Sequence, residues 1–329
     1  MKKNYGILST ASIVPRFVNA VRASGDGTVM AIASRSADKA RKKADALGIE
    51  RAYGSYQALM DDADVNIVYI ATINSEHYAN CLLALQHGKH VICEKPFVLK
   101  KQEAEHLFSL AAERGLFIME AQKVVFLPVM LAIKNILQSG RLGHIRLVDM
   151  TSSCEATYNN WLGLPEAGGG SLYGNASYTV QMLTFLFDEM PVYRAGAAIR
   201  SPSGTDAQCV INLSTKAGVL IVSKISQQVN AINKAFIYGE KGYIEIADYW
   251  KARKATVHYA SGDKEELYFP CDHELVYEVR HIHECLDKHM LTSPVMSPDM
   301  TINTVSMLES IHKEWAGQVT LKGESNVKL

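Results

Sequence analysis

The first 120 residues alternate short apolar runs with segments of helical character. YGIL reads as a strand, and residues 13–24 read as a helix that tolerates Pro15 in its first turn, where the missing N–H would be unpaired anyway. VMAIAS (29–34) is a second strand. Residues 37–47 are helical by their Ala, Lys and Arg content, and Gly48 stops them. NIVYIAT (66–72) is apolar throughout, the pattern of a strand buried on both faces. A helix over 75–88, the strand HVICE (90–94), a helix over 100–114 and the strand LFIME (116–120) follow. Repeated β-α units of this length predict an α/β fold, a doubly wound parallel sheet with right-handed crossovers.

After Glu120 the rhythm changes. A helix (128–139) precedes a strand (145–153), a loop holding Trp161, Pro165 and the GGG of 168–170, and another helix (171–187). From 192 to about 269 the pattern is of β-segments separated by PSG, KAG, EKG and SGD turns, and helices follow over 273–289 and 298–315. Long antiparallel strands with helices predict an α+β unit. The expected division is therefore a dinucleotide-binding domain over 1–121 and a substrate-binding and oligomerisation domain over 122–329.

Composition narrows the function classes. At 329 residues the chain suits two cores, and 48% apolar with 21% charged residues is ordinary for a soluble globular protein. Basic and acidic residues balance at 34 each, so neither nucleic acid nor an anionic membrane is an expected partner. No apolar run approaches the ~20 residues of a membrane span, and the start MKKNYGILST is too short and broken for a signal peptide. Six cysteines lack any C-x-x-C spacing, which fits reduced thiols in a cytoplasm. The pairs His87/His90, His281/His283 and His283/Asp287 lack further ligands, so no metal site is expected.

Four stretches carry candidate chemistry. YGILSTASIV sits where a dinucleotide fingerprint would, but Ser9 and Ala11 replace the glycines of G-x-G. A pyrophosphate needs free N–H groups at a helix start and little bulk. Ser9 and Ala11 are the smallest replacements, and Ser9, Thr10 and Ser12 add hydroxyls before Ile13; a plain strand-turn-helix is the alternative. At the end of the second strand, Ser34-Arg35-Ser36 with Lys39 suits a 2′-phosphate better than a bare diol, pointing to NADP over NAD. Glu94-Lys95-Pro96 puts a cation at the carboxyl edge of the sheet, where Thr72, Asn74 and His77 would line the nicotinamide side. Finally, the triple glycine gives backbone freedom before a helix on which Gly174, Tyr178 and Gln181 share one face. Tyr178 could shuttle a proton if an ammonium lowered its pKa from ~10; a packed core tyrosine is the alternative. The Y-x-x-x-K of short-chain dehydrogenases is absent.

Together these stretches resemble the glucose-fructose oxidoreductase, inositol dehydrogenase and rhizopine catabolism (Gfo/Idh/MocA) family. The resemblance rests on YGILSTASIV, ALQHGKHVICEKPF (84–97), FIMEAQKVVFLP (117–128) and GGGSLYGNASY (168–178), and it spans essentially the whole chain. It implies a Rossmann domain followed by a domain built on a large open, mainly antiparallel sheet, with NAD(P) between them. It also implies a homodimer or higher homo-oligomer. Lys95 matches the family's EKP lysine, near the nicotinamide and the substrate hydroxyl, and Tyr178 matches the final residue of its D-x-G-x-[YH] pattern. The tyrosine form is similar to the glucose-fructose oxidoreductase and dimeric dihydrodiol dehydrogenase branches, which favour NADP. Departures are Gly174 for the Asp, Ala176 for the Gly, and Gln122 and Lys123 where aromatic residues often follow M-E-A.

The resulting expectation is an NADP-dependent oxidoreductase passing hydride to or from a secondary alcohol carbon of a sugar, polyol or cyclic diol. Tyr178 is the expected acid/base, with Lys95 holding the hydroxyl and lowering the tyrosine pKa. Ser9 to Ile13, Ser34, Arg35, Lys39, Thr72, Asn74, His77, Glu94, Lys95 and Gln122 are the expected cofactor contacts; Trp161, Asn175 and Gln181 the expected substrate contacts. The alternative is a non-catalytic NADP-binding sensor of the same fold.

Overall fold

Six short strands, the inner ones apolar enough to be covered on both sides, build the first sheet of the computed structural model, which describes residues 2–155 and 160–316. They are β1 (Asn4–Leu8), β2 (Thr28–Ala33), β3 (Arg51–Tyr53), β4 (Ile67–Ile70), β5 (His90–Glu94) and β6 (Ile118–Ala121). Their order is β3-β2-β1-β4-β5-β6, and all the pairings are parallel. Helices α1 (Val14–Ser24), α2 (Ala37–Leu47), α3 (Tyr56–Met60), α4 (His77–Gln86) and α5 (Lys101–Glu113) make the crossovers. Strand order reverses between β1 and β4, which opens a crevice at their carboxyl ends. The β3–α3 hairpin is too short for periodicity to reveal it. It exists because the Ser55 side chain caps α3 at Ala58 N (3.2 Å) while Leu59 and Met60 are buried.

The remainder comprises α6 (Pro128–Gln138), β7 (Ile145–Ser153), α7 (Ser177–Phe187), β8 (Val192–Arg200), β9 (Asp206–Ser214), β10 (Leu220–Ser226), β11 (Lys234–Gly239), β12 (Gly242–Ala247), β13 (Lys254–Tyr259), β14 (Lys264–Tyr268), α8 (Val276–Asp287) and α9 (Pro298–Ala316). Eight strands form one open sheet in the order β14-β13-β12-β11-β7-β10-β9-β8. Only β7 and β10 pair in parallel; the rest is antiparallel.

The last two helices return to the first sheet. α8 packs on α1 and α9 on α5, and His283 Nε2 meets the Tyr5 hydroxyl at 3.0 Å. The far end of the chain therefore braces the helices that flank the first sheet.

One irregularity bears directly on the site. The helix expected over 171–187 begins with a π-helical turn, Leu172–Ala176, before α7 proper. The wider turn changes which residues share a face.

Candidate active site

The β1–α1 turn is built for close approach. Ser9 has φ +111°, inside the region usually left to glycine, and its N–H donates to Ala33 O at 2.9 Å. Its hydroxyl accepts from Ala11 N at 3.1 Å. No side chain caps the start of α1 and no acidic residue occupies its first turn. The turn therefore offers donors and the positive end of a helix dipole without the usual glycines.

That turn forms one wall of a cavity of about 580 Å³, a volume within the range of ligand sites. Ser9, Thr10, Ala11, Ser12, Ile13 and Arg16 line one side, and Thr72, Asn74 and His77 extend it beyond β4. Glu94, Lys95 and Lys123 close the floor; Trp161, Tyr173, Gly174, Asn175, Tyr178 and Trp250 face them from the second unit.

Several of these side chains hold the cavity in shape. His77 is buried, with Nδ1 at 2.9 Å from Pro96 O and Nε2 at 3.2 Å from Thr72 O, so it ties the Glu94-Lys95-Pro96 loop to the end of β4. Burial pulls its pKa down. Asn74 Nδ2 donates to Gly168 O at 2.8 Å, bridging the two halves, and Asn175 Nδ2 donates to Ser152 Oγ at 2.6 Å. The Tyr69 hydroxyl donates to Glu94.

The triple glycine is needed for packing. A Cβ on Gly169 would lie 2.3 Å from the Leu162 carbonyl oxygen, and one on Gly170, at φ +105°, would lie 2.2 Å from Asp206 Oδ1. The Gly169→Ala variant is expected to lose roughly 1–3 kcal/mol by overpacking, read as a lower Tm in calorimetry, and to shift the neighbouring Trp161. An unchanged Tm would show that the loop is not packed this way.

Not every expected contact reaches the cavity. Gln122 and Gln181 are both fully buried away from it: Gln122 Nε2 donates to Gln181 Oε1, and Gln181 Nε2 donates to Glu120 Oε2 at 2.7 Å. Gln181, three residues beyond Tyr178 in the regular helix α7, points about 60° away from the cavity side and into the core, while Gly174 and Tyr178 stay on the cavity side. Ser34 and Arg35, just past β2, and Lys39, in the first turn of α2, do not belong to the cavity wall. Arg35 is exposed and reaches Glu76 at 3.3 Å, while Ser36 Oγ caps α2 at Lys39 N (3.4 Å).

The tyrosine's partners also differ from expectation. Lys95 Nζ stands 4.7 Å from the centroid of the Tyr178 ring and donates to Gly174 O. The hydroxyl is met instead by Lys123 Nζ, at 3.1 Å. Burial pushes the Tyr178 pKa up; Lys95 and Arg16 pull against it while Glu94 and Glu278 add to it, and the net shift is upward. The expected lowering by Lys95 is real but is outweighed. Lys123 is itself pulled down to about 8, mainly by burial and then by Arg16, against Glu94 and Glu278.

Lys123, Arg16, Tyr173 and Trp250 are the wall residues that motif reading passed over. For Lys123 a signal existed, a cation in place of an aromatic after M-E-A. Its meeting with Tyr178, 55 positions away, needs the fold.

Comparison with known proteins agrees with this architecture. Residues 3–122 match the family described as oxidoreductase family, NAD-binding Rossmann fold, and residues 130–245 match the GFO/IDH/MocA C-terminal domain. The trans-1,2-dihydrobenzene-1,2-diol dehydrogenase of Mus musculus is 31% identical over 90% of this chain and 92% of its own. Its Bos taurus counterpart is 30% identical over 95% and 97%. Among solved structures, KijD10, a 3-ketoreductase from Actinomadura kijaniata in complex with NADP and TDP-benzene, superposes with a TM-score of 0.87 at 22% identity, over 95% of this chain and 98% of that one. A levoglucosan dehydrogenase complexed with NADH gives 0.85 at 18% identity, over 96% and 97%.

Proposed function

The chain belongs to the GFO/IDH/MocA oxidoreductase family, and from that premise we propose that it interconverts a secondary alcohol and a ketone on a cyclic diol, sugar or polyol, using NADP(H). The observation that carries this reading is the meeting of Lys95 and Tyr178 across the crevice, 4.7 Å from ammonium to ring centroid, beside an uncapped helix start. Names among the relatives support the substrate class, and the NADP and TDP-benzene held by the 3-ketoreductase support the cofactor and a ring-shaped ligand.

The residues present fit a dinucleotide. The Ser9–Ile13 turn takes the pyrophosphate, Ser34 and Arg35 the 2′-phosphate, and the Thr72–His77 segment borders the nicotinamide end. When bound, the cofactor accepts or gives the hydride. Lys95 holds the substrate hydroxyl, and Tyr178 takes or returns its proton. Trp161, Trp250 and Asn175 shape the rest of the pocket. Gly174 supplies a carbonyl to Lys95 where the family pattern has a carboxylate, which makes this pocket less acidic.

The test is a turnover screen of cyclic trans-diols, aldoses and keto sugars with both nicotinamide cofactors. Turnover with NADP(H) is expected. Tight NADPH binding with no turnover across the panel would instead favour a non-catalytic sensor, the reading that the absent carboxylate at Gly174 supports. Arg35→Asp is expected to weaken NADPH binding about 10–100-fold, the loss of one or two charge-assisted hydrogen bonds, with little change for NADH. Equal affinity of the variant and the parent for NADPH would assign the 2′-phosphate elsewhere.

We also place a homodimer or higher homo-oligomer on the open face of the second sheet. The register puts Leu147, Val192, Ile199, Val210 and Leu220 on that one face, all exposed. The six free cysteines fit a cytoplasmic location, and no described helix is long and apolar enough to cross a membrane.

A further inference from the structure

We propose that Lys123 is the proton store of this site, exchanging a proton with the substrate hydroxyl through Tyr178. The inference rests on the reading of Tyr178 as acid/base and names where its proton goes.

The geometry sets Lys123 apart from Lys95. Lys95 Nζ lies over the ring face and is directed at the Gly174 carbonyl. Lys123 Nζ lies 3.1 Å from the hydroxyl oxygen, and its residue is only 7% exposed. An ammonium there donates to the phenol oxygen; a free amine accepts the phenol's proton instead. The contact can therefore pass a proton either way without any side chain moving.

The surroundings make both states accessible. Lys123 opens the short 3-10 segment Lys123–Phe126, which packs on α6, α7, α8 and the Tyr249–Lys251 turn. From α8 comes Glu278, 1% exposed, with neither carboxylate oxygen bonded among the described residues. Burial holds its pKa far above the ordinary carboxylate range, so the field that favours the lysine cation is first that of Glu94, and Glu278 adds to it only in its ionised form. His281 of α8 faces Phe126 at 4.7 Å between ring centroids. Arg16, on α1, opposes the cation and is itself held by Glu274. Glu120 lies behind, bonded to Gln181, and Tyr69 is held by Glu94. Tyr249 is buried, Lys251 pairs with Asp248, and Lys134 of α6 pairs with Asp188. Burial leaves Lys123 titrating at about 8, near working pH, whereas Tyr178 titrates above its ordinary value. A phenol that is hard to ionise serves better as a relay than as the final acceptor.

The step balances as follows. In oxidation the substrate O–H bond breaks and its proton goes to Tyr178 Oη. The phenol's own proton moves to the lone pair of the neutral Lys123 amine. The electron pair of the substrate C–H bond leaves with its hydrogen as hydride to the bound cofactor, and the C=O bond forms. Reduction runs the same transfers backwards from the Lys123 ammonium. Oxidation therefore rises, and reduction falls, as pH passes upward through the lysine's pKa.

Lys123→Arg is the discriminating variant, because it keeps a buried cation and donor that cannot lose its proton in this pH range. It is expected to lower kcat for oxidation about tenfold or more and to erase the inflection near pH 8. Wild-type rates with the inflection retained in Lys123→Arg would overturn the relay. A second measurement does not depend on turnover or on bound cofactor. Carbon-13 dimethylation of the wild-type protein, with Lys123→Met used to assign the signal, should show Lys123 titrating near 8. Titration at the ordinary lysine value would also overturn the proposal. If Tyr178→Phe leaves turnover intact, the acid/base reading itself fails; if Tyr178→Phe is inactive while Lys123→Arg behaves as wild type, only the relay does.

Discussion

Tyr178→Phe is expected to lower kcat by roughly 10²–10⁴-fold, the contribution of a positioned acid/base, while NADPH binding stays unchanged. The substitution removes a single atom and keeps the ring that stands 4.7 Å beneath the Lys95 ammonium. Packing of α7 is therefore preserved, and the damage is confined to proton transfer. Lys123 loses its 3.1 Å partner, so stability should fall by about 1–3 kcal/mol. Stopped-flow or steady-state rates, with NADPH titrated by fluorescence, separate the two effects. Full turnover in the variant would return Tyr178 to the status of a core residue.

Lys95→Met has the second large effect, expected at roughly 10²-fold or more in kcat/KM because an electrostatic clamp on the reacting oxygen is lost. It carries a signature in pH as well. Burial already holds Tyr178 above its ordinary pKa, and Lys95 is the largest influence pulling it down. Removing that cation leaves burial, Glu94 and Glu278 less opposed, so the phenol becomes still harder to ionise. The oxidation limb set by ionisation of Tyr178, above the Lys123 inflection near pH 8, should move to higher pH, whereas reduction, which uses the protonated phenol, should keep its acidic plateau. A pH–rate profile in both directions checks the sign. An unmoved alkaline limb would show that Lys95 does not act on Tyr178.

How legible the site was depended on distance along the chain. Ser9, Ala11, Thr72 and Lys95 could be placed because each follows a strand run, and the carboxyl ends of parallel strands converge, whereas Tyr178, inside a helix, rested on the family pattern. Gln181 does not share the cavity side that an i, i+4, i+7 count gives it, because three residues of regular α7 leave it about 60° from Tyr178 and turned toward Glu120. Gln122 read as a polar neighbour of the nicotinamide but bonds to Gln181 inside the core. The β3–α3 hairpin left no periodic trace because three and five residues are too few.

Alternation of apolar and polar positions determined the parallel first sheet, the strand-rich second unit and the edge at which a ligand sits, since burying apolar runs while pairing every backbone group leaves few arrangements; the single open second sheet was implied only by the family resemblance. Local chemistry determined that a small-residue turn, an Arg and an EKP lysine lie near that edge. Tertiary packing alone decided which amine meets the Tyr178 hydroxyl, how far burial outweighs Lys95, and that Glu278, from near the far end of the chain, is buried within electrostatic reach of Lys123 and Tyr178. Strand and helix periods are fixed by bonds between near neighbours. A pKa is set by every charge and every missing water around the group, wherever in the chain those neighbours originate.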